Sequence, residues 1–378
     1  MNQELFIAML IETLTMVPVV VLLASIPYLT RRTESFGVSI PKEVYADEEL
    51  VQMRKQFVRR FAGGSAVLLV AGLLLMTWLA RRVPVGEGLQ GAMLTALPLL
   101  VLALHFGLYL HYHFRMKWLK AERQWQTGYV EKVVVDTRFR EQPLRYSNFW
   151  LLPSIFVMLL TVGMTVIFWD RIPEKVPMQY NFSGQVTNWA DKSWGTMSLF
   201  PLFQLGIICL MGFVNWTIGL AKQQLDPDDP ETSRSRNVIF RRRWSAFLIW
   251  NTLLITLLFF YAQLTFIVAV PGFVTAIISS LFAAVVLVWT LALSFRTGQG
   301  GSRVRVKAQD GERLMNRDDD RYWKLGQFYF NPDDPALFLE KRFGIGFTLN
   351  FARPAAWLFL LLILGLPLGI LMVSLLIG

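Results

Sequence analysis

Two polar side chains interrupt long apolar runs, where ionisable and hydrogen-bonding groups are costly and usually face a cavity or a polar partner. Glu12 is the only acidic residue well inside such a run, and Gln204 lies in another. If both runs are helices that rise about 1.5 Å per residue, the two side chains reach similar depths. The pair predicts either a peptide or proton site that opens outward, or a protonated glutamate bonded between helices.

A second polar group lies on one predicted helix, where His105, Tyr109 and His113 recur every fourth residue and share a face. A zinc site needs three or four ligands, and the sequence has neither His-Glu-x-x-His nor a further acidic residue at matching depth. The alternative is a hydrogen bond between His105 and a polar neighbour such as Asn251, at a similar estimated depth. We therefore predict no bound metal and no cofactor.

Acidic residues precede a proline at two places. Asp333 and Asp334 stand before Pro335, and the same pattern occurs in residues 226–230 before Glu231. Such carboxylates suit either a hard cation such as Mg²⁺ or Ca²⁺, or the cap of a helix whose first residue is the proline. Recurrence in a second loop favours the cap. We find no Gly-x-Ser-x-Gly, phosphate-binding loop or paired intramembrane carboxylates, and we predict that the chain is not an enzyme.

The elements that carry these residues are predicted to be membrane helices. Hydrophobic residues make up 54% of the 378 residues and the mean hydropathy is +0.43, more than a water-facing surface tolerates. A bilayer core requires roughly 20 apolar helical residues per crossing. We predict an all-α polytopic membrane protein with about eight transmembrane helices. The predicted spans are residues 5–29, 62–80, 90–112, 149–169, 196–220, 244–268, 273–295 and 355–377.

The distribution of positive charge predicts the orientation. The net charge is +10, but Lys and Arg lie beside the apolar runs and form no continuous basic domain, so we predict no nucleic-acid partner. Most of the 37 basic residues occupy alternate loops, and the other loops hold only Arg81, Arg82, Arg171, Lys175 and Lys192. Because cytoplasmic loops retain Lys and Arg, both termini are predicted to be extracytoplasmic.

The predicted spans and loops divide the chain into five regions. Residues 1–148 hold the first three helices and two basic cytoplasmic segments, and residues 149–220 hold the fourth and fifth helices around an extracytoplasmic loop at 170–195. Residues 221–295 hold a cytoplasmic loop and a helical hairpin. Residues 296–354 form an aromatic cytoplasmic module, and residues 355–378 form the last helix. Segment 113–135 is either a helix in the headgroup region or an extension of the third helix.

The extracytoplasmic loop has a distinct pattern. Its prolines preclude a regular helix, residues 178–182 alternate as in a strand, and residues 181–184 form a predicted turn. The pattern Ile172-Pro-x-x-x-Pro177, Tyr180-Asn-x-x-Gly184 and Asp191-Lys192 resembles the bacterial domain of unknown function 1648, which is also present in SdpI-type immunity proteins. The candidate ligand contacts in this pattern are Pro173, Pro177, Asn181, Gly184 and Lys192. Gln179 stands where the motif usually has a histidine, so that histidine's chemistry does not carry over.

The aromatic module has a second pattern. Trp323-x-x-Gly326-x-Phe328-Tyr-x-Asn331-Pro-x-Asp334-Pro, followed by Gly344-x-Gly346-x-x-Leu349-Asn350, resembles the domain of unknown function 5808. The two module glycines lack the strand context and third glycine of a dinucleotide fingerprint, and we interpret them as backbone turns. The candidate partner contacts are Trp323, Gly326, Tyr329, Asn331, Asp333, Asp334, Gly344, Gly346 and Asn350.

The resemblance implies a bacterial plasma-membrane protein of the immunity or signalling type. SdpI-type proteins protect cells against a secreted peptide toxin and can sequester a transcriptional repressor. By that resemblance the loop would sense or neutralise a peptide or envelope signal, and the module would dock a cytoplasmic protein. The alternatives are a secondary transporter or channel-like protein whose route is lined by Glu12, Gln204, His105 and Asn251, and a membrane enzyme with an unrecognised site.

Overall fold

The computed structural model describes residues 3–82, 87–125, 143–180, 186–223, 230–304 and 320–361, together with 363, 365 and 369. Most of these residues are helical. The long helices are α1 (Gln3–Leu29), α2 (Glu48–Arg82), α3 (Glu87–Glu122), α4 (Leu152–Ile167), α5 (Trp194–Leu220), α6 (Pro230–Leu264) and α7 (Gly272–Thr297). A further helix, α8, covers residues 354–361.

Six helices within the described ranges, α2 to α7, are long and apolar enough to cross a membrane. The protein is therefore a multi-pass membrane protein. The predicted first span is helical, but its described apolar part, Thr15–Leu29, is shorter than the other six. The last span is predicted at residues 355–377, and the structure has a helix that begins at residue 354. Of the two interpretations left open for segment 113–135, residues 113–122 fit the extension of the third helix, because they belong to α3.

The helices pack in two groups. Helices α4, α5 and α6 contact one another pairwise, and so do α1, α2 and α3. Helix α7 contacts both α1 and α6 and so joins the groups. It begins at Gly272, directly after Pro271, whereas α6 ends at Leu264, four residues before the predicted end of the sixth span.

Helix α6 begins at the proline predicted to start it. Pro230 is its first residue and Glu231 lies in its first turn, where a negative charge is favourable. The corresponding prediction at Pro335 is wrong. That proline is followed by an extended segment, and no residue from 335 to 350 is helical.

Short antiparallel strand pairs occupy the segments between helices, so the all-α prediction holds for the membrane helices and not for these connections. The pairs are β1 (Glu34–Ser35) with β2 (Val38–Ser39), β3 (Lys175–Tyr180) with β4 (Val186–Asp191), β5 (Trp323–Lys324) with β6 (Phe328–Tyr329), and β7 (Phe338–Glu340) with β8 (Phe347–Leu349). We refer to residues 320–353, which contain the last two pairs, as the terminal module.

An aromatic core lies where the terminal module meets α1, α2 and α3. Phe36 from the β1–β2 turn, Phe57 from α2 and Tyr109 from α3 are all buried. Phe343 of the terminal module contacts each of these rings, with a distance of 4.4 Å between its ring centre and that of Tyr109. Such contacts add to the stability gained from burial of the rings. The terminal module is therefore packed against the helices rather than tethered beside them.

Candidate functional site

The β3–β4 hairpin connects α4 to α5 at one end of the bundle. Its base is closed by Lys192, whose Nζ donates to the Ile172 carbonyl at 3.1 Å and lies 5.1 Å from the centre of the Trp169 ring. Trp169 in turn stacks on Trp194 with ring centres 4.0 Å apart. Pro173 precedes β3 and Pro177 lies within it. The hairpin therefore has a fixed base that includes the predicted residue Lys192.

An apolar cluster holds the hairpin on the helix ends. Ile172 and Val176 are buried against Met197 of α5 and Phe266, which follows α6. The strand predicted at residues 178–182 is present as far as Tyr180, and Asn181 and Gly184 lie outside the described residues. Sequence reasoning missed β4, although Val186 to Asp191 has few turn-forming residues.

Buried amide side chains follow the interface of α4, α5 and α6 away from the hairpin. Nearest to it, Gln263 Nε2 donates to Thr165 Oγ1 at 2.9 Å. Deeper in the bundle, Gln204 Nε2 donates to Thr161 Oγ1 at 3.0 Å and to the Thr256 carbonyl at 2.8 Å. Both amides are fully buried, and the side-chain oxygen of each has no hydrogen-bond partner in the described structure.

A third amide completes what we call the amide ladder, Gln263, Gln204 and Asn215. Asn215 Nδ2 donates to Asn148 Oδ1 at 2.8 Å, and its Oδ1 accepts from Ser245 at 2.6 Å. Gln263 meets the start of α5, whereas Asn215 lies five residues before its end. The ladder thus connects the hairpin end of the three-helix group to the end where the terminal module lies.

A buried charge network attaches the terminal module to the helices. Glu340 of β7 is fully buried and accepts from Asn237 Nδ2 at 2.6 Å and from Arg241 Nη2 at 3.1 Å, both on α6. Its other oxygen bonds to Arg31, which follows α1. Arg241 also donates to the Ile218 carbonyl of α5 at 2.6 Å. The Glu340 carboxylate therefore ties Arg31 and α6 to β7, and Arg241 extends the connection to α5.

Two side chains of α3 hold two β-turns. Tyr109 Oη donates to the Leu325 carbonyl at 2.7 Å, and His113 Nδ1 lies 2.8 Å from the Phe36 carbonyl. The glycines that follow, Gly37 and Gly326, have φ values of +77° and +68°. A Cβ atom at either glycine would lie 2.5 or 2.6 Å from Tyr109 Oη, so both positions require glycine for space as well as conformation.

A second ion-pair cluster joins the terminal module to α3 and β2. Asp320 accepts from Lys120 Nζ at 2.7 Å and from the Ser39 amide at 3.1 Å, and it also pairs with Arg342. Burial alone would raise the pKa of Asp320, but the charges of Arg342 and Lys120 outweigh it and hold that pKa at about 2. The carboxylate is therefore ionised at neutral pH.

Asp334 lies in a third cluster. Its Oδ2 accepts from Lys222 Nζ at 2.6 Å and from Tyr329 Oη at 3.0 Å, and its Oδ1 accepts from the Ala336 amide at 3.0 Å. Burial raises its pKa, and the bond from Lys222 and its other donors outweigh that effect, so the pKa is lowered. The carboxylate closes a turn and an ion pair instead of capping a helix.

Two family models match the chain. Residues 156–205 match the domain of unknown function 1648, and residues 332–357 match a family of unknown function numbered 5808. Their identities and order are those predicted from the two sequence patterns. No curated protein and no solved structure matches the chain.

The 1648 match covers most of α4, the hairpin and the first half of α5, and so includes Gln204. The 5808 match covers β7, β8 and the first turn of α8, and so includes Glu340 and Asn350. Asn350 donates to the carbonyls of Asn331 at 2.8 Å and Asp334 at 3.0 Å. Asn331 and Asn350 therefore form hydrogen bonds within the core of the terminal module.

The other module residues singled out in the sequence also support the module itself. Trp323 is buried with its ring centre 5.1 Å from that of Tyr329, and the Asp333 amide donates to Asn331 Oδ1 at 3.0 Å. Gly344 and Gly346 have φ values of +92° and +111°, and no atom lies within 4 Å of a Cβ built at either. They serve backbone conformation, as predicted.

The four intramembrane residues proposed to line one route do not converge. Gln204 bonds to Thr161 and Thr256, while the Glu12 carboxylate lies in the other helix group, without a hydrogen-bond partner in the described part of the chain. The bond predicted between His105 and Asn251 is wrong. His105 bonds to the Leu23 backbone instead, because α3 packs against α1. Among described residues, no metal-binding group of three side chains occurs.

Sequence reasoning missed the residues of the two charge clusters. Arg241 stands in the run Arg241-Arg242-Arg243, which we interpreted as charge in a cytoplasmic loop. Its partner Glu340 is 99 residues away, so no local spacing connects them. The available signal was Glu340 itself, a lone acid that directly follows Phe338 and Leu339.

Proposed function

We propose that the protein is a bacterial plasma-membrane protein of the immunity or signalling type, with both termini outside the cell. The β3–β4 hairpin receives a peptide or envelope signal, and the terminal module passes it to a cytoplasmic protein. The observation that carries this proposal is the position of the two domains at opposite ends of α5. This helix has 27 residues and so spans about 40 Å, enough to cross the bilayer.

The hairpin has the features of a peptide-binding element. A two-stranded sheet leaves both outer edges open, and an extended peptide can add as a further strand. The β3 edge contains Pro177, which lacks an amide hydrogen, so the β4 edge is the better template. Trp189 on β4 is 54% exposed and offers an aromatic surface beside that edge.

The terminal module exposes apolar rings that suit a protein partner. Phe328 and Phe330 are 43% and 44% exposed, and Leu325 in the adjacent turn is 38% exposed. Exposed apolar side chains on a segment outside the membrane commonly belong to an interaction site. Its neighbours Tyr329 and Trp323 are buried, so the exposed rings stand on a rigid base.

Loss of immunity tests the hairpin role. Cells that lack the protein should become sensitive to a secreted peptide, wild type should restore resistance, and Trp189→Ala should not. The matched control is Trp150→Ala, because Trp150 is 61% exposed at the opposite end of the same helix group. Equal membrane abundance of the variants must be shown. Full rescue by Trp189→Ala would contradict the hairpin role.

The orientation has its own test. In a Cys209→Ser background, Asn188→Cys on the hairpin should react with an impermeant thiol reagent in intact cells, and Lys324→Cys on the terminal module should react only after lysis. Both native side chains are exposed, so reactivity reports sidedness rather than burial. The reverse labelling pattern would overturn the proposed topology.

Proton-coupled transport is the second candidate. It is favoured by Glu12, which is 9% exposed and whose two carboxylate oxygens lack hydrogen-bond partners among the described residues. An acid in this position commonly marks a proton or substrate route. Glu12→Gln would then abolish flux while Trp189→Ala leaves it intact, and unchanged flux in Glu12→Gln would exclude this role.

A further inference from the structure

Two arginines contact one tyrosine where the chain enters α4. Tyr146 stands two residues before the short helical turn Asn148–Leu151 that leads into this helix. Its amide donates to Ser245 Oγ of α6 at 2.8 Å, which fixes the segment on that helix. The guanidinium of Arg242, three residues before Ser245 on α6, lies 5.3 Å from the centre of the Tyr146 ring. The ring and the cation therefore join the entry of α4 to α6.

The second arginine, Arg145, is held in place by its own neighbours. Its Nη1 donates to the Tyr146 carbonyl at 3.1 Å and to Asn148 Oδ1 at 3.2 Å. It also packs on α5, because a Cβ atom built at Gly219 would lie 3.3 Å from Arg145 Nε. Neither Arg145 nor Arg242 forms an ion pair with an acidic residue in the described part of the chain. Two positive charges without a counter-ion thus lie beside one tyrosine.

The lipid-facing surfaces of α4 and α6 begin beside these charges. On α6, Arg243, Trp250 and Leu257 are exposed at intervals of seven residues, or about two helical turns, and so share a face. Toward and along α4, Phe149 is 77% exposed and Phe156 is 62% exposed. Apolar side chains exposed on helices that cross a membrane face its hydrocarbon, and aromatic rings are enriched at its boundary. The arginines therefore lie at the level of the lipid headgroups.

This combination of unpaired cations and exposed rings is complementary to an anionic phospholipid. A guanidinium offers a planar fork of donors that matches the oxygens of a phosphate. Basic side chains at the headgroup level attract anionic lipids, and the apolar surface beside them can accept the hydrocarbon chains. We propose that Arg145 and Arg242 together bind the phosphate of one anionic phospholipid, whose chains lie along the exposed faces of α4 and α6.

A bound headgroup would act as a bridge between helices. It would neutralise Arg145, which packs on α5, and Arg242 of α6, two like charges that otherwise repel each other. This inference does not rest on the proposed immunity or signalling role. It also holds for either orientation of the chain, because the lipid occupies whichever leaflet meets this end of α6.

Lipid preference tests the two arginines. The full-length protein in detergent is equilibrated with equal amounts of phosphatidylglycerol and phosphatidylcholine, and native mass spectrometry measures which lipid it retains. Wild type should prefer phosphatidylglycerol, and Arg242→Gln should lower that preference roughly fivefold. Arg242 makes no hydrogen bond with a described residue, so this single variant should fold normally. The double variant Arg145→Gln/Arg242→Gln should lower the preference further.

The matched control is Lys55→Gln/Arg59→Gln. It removes the same charge from two exposed positions on α2, and the exposed face that follows them has Gly63 and Val67 in place of aromatic rings. The control should keep most of the preference. An equal loss in the control and in the double arginine variant would show a general attraction of charge and overturn the proposed site. An unchanged preference in the double arginine variant would overturn it as well.

Two further measurements separate a lipid site from a simple phosphate site. Soluble glycerol phosphate at millimolar concentration should not displace the lipid, because it lacks the chains that contact α4 and α6. Displacement at that concentration would overturn the assignment of a lipid. Tyr146→Leu keeps both arginines but removes the ring beside Arg242, so it should lower the preference several-fold. Full preference in Tyr146→Leu would overturn the part of the proposal in which this ring positions the guanidinium.

Discussion

The guanidinium of Arg241 and the carboxylate of Glu340 form a fully buried ion pair, with Nη2 and Oε1 3.1 Å apart. The pair joins α6 to β7 across 99 residues of sequence. Ions buried to this degree persist where hydrogen bonds satisfy their remaining atoms. Asn237 and Arg31 provide these bonds to Glu340, and the Ile218 carbonyl provides one to Arg241.

Removal of one partner from this pair should be strongly destabilising. Glu340→Leu leaves Arg241 buried without its counter-ion, at a cost of about 3 to 5 kcal/mol. The double variant Arg241→Met/Glu340→Leu should lose less stability than the sum of the single variants, because neither charge is left alone. Thermal unfolding in detergent measures both effects. Additive losses would show that the two side chains do not act as a pair.

The two turn glycines should tolerate alanine poorly. A Cβ at Gly37 would lie 2.5 Å from Tyr109 Oη, and the φ of +77° is strained for any other residue. We expect Gly37→Ala to cost about 1 to 3 kcal/mol from backbone strain, with the collision in addition. Gly163→Ala on α4 is the control: its Cβ would meet no atom within 4 Å, and alanine is the better helix former. Equal melting temperatures for the two variants would refute the close packing at Tyr109.

The Asp320 cluster should make the thermal stability of the protein depend on pH in the acidic range. The pKa of Asp320 is lowered from 3.8 to about 2, so its ion pairs contribute fully above pH 3.8 and are lost as the pH falls through 2. The melting temperature of wild type should therefore drop over that range by more than that of Asp320→Asn. Parallel curves for the two proteins would show that Asp320 does not have this depressed pKa.

Divalent cations should leave the terminal module unchanged. Asp334 already accepts from Lys222, Tyr329 and the Ala336 amide, and a cation would have to displace Lys222 Nζ, which lies 2.6 Å away. The melting temperature should shift by less than one degree with millimolar Ca²⁺ or Mg²⁺, roughly the limit set by weak binding. A larger shift that Asp334→Asn abolishes would establish a cation site.

The contrast between Pro230 and Pro335 shows which structural features a local sequence pattern predicts and which it does not. Both prolines follow two aspartates, yet only Pro230 begins a helix, because a long helix-compatible segment follows it. After Pro335 the chain pairs with β8, and the Lys222 amide donates to the Phe338 carbonyl at 2.8 Å. Apolar runs and turn residues predict membrane helices and reversals because these are local, whereas strand pairing and the Arg241–Glu340 pair depend on distant segments.

The amide ladder should matter more for function than for stability. Gln204→Leu removes the bonds to Thr161 and Thr256, and interhelical hydrogen bonds of this kind contribute only about 0.6 kcal/mol each in membrane proteins. If a signal passes along α5, this variant should nevertheless lose resistance to the peptide at normal abundance. Leu205→Ala, at the adjacent lipid-exposed position, is the control for side-chain volume. Full resistance in Gln204→Leu, measured beside a Trp189→Ala strain that has lost it, would show that the hairpin acts without this interface.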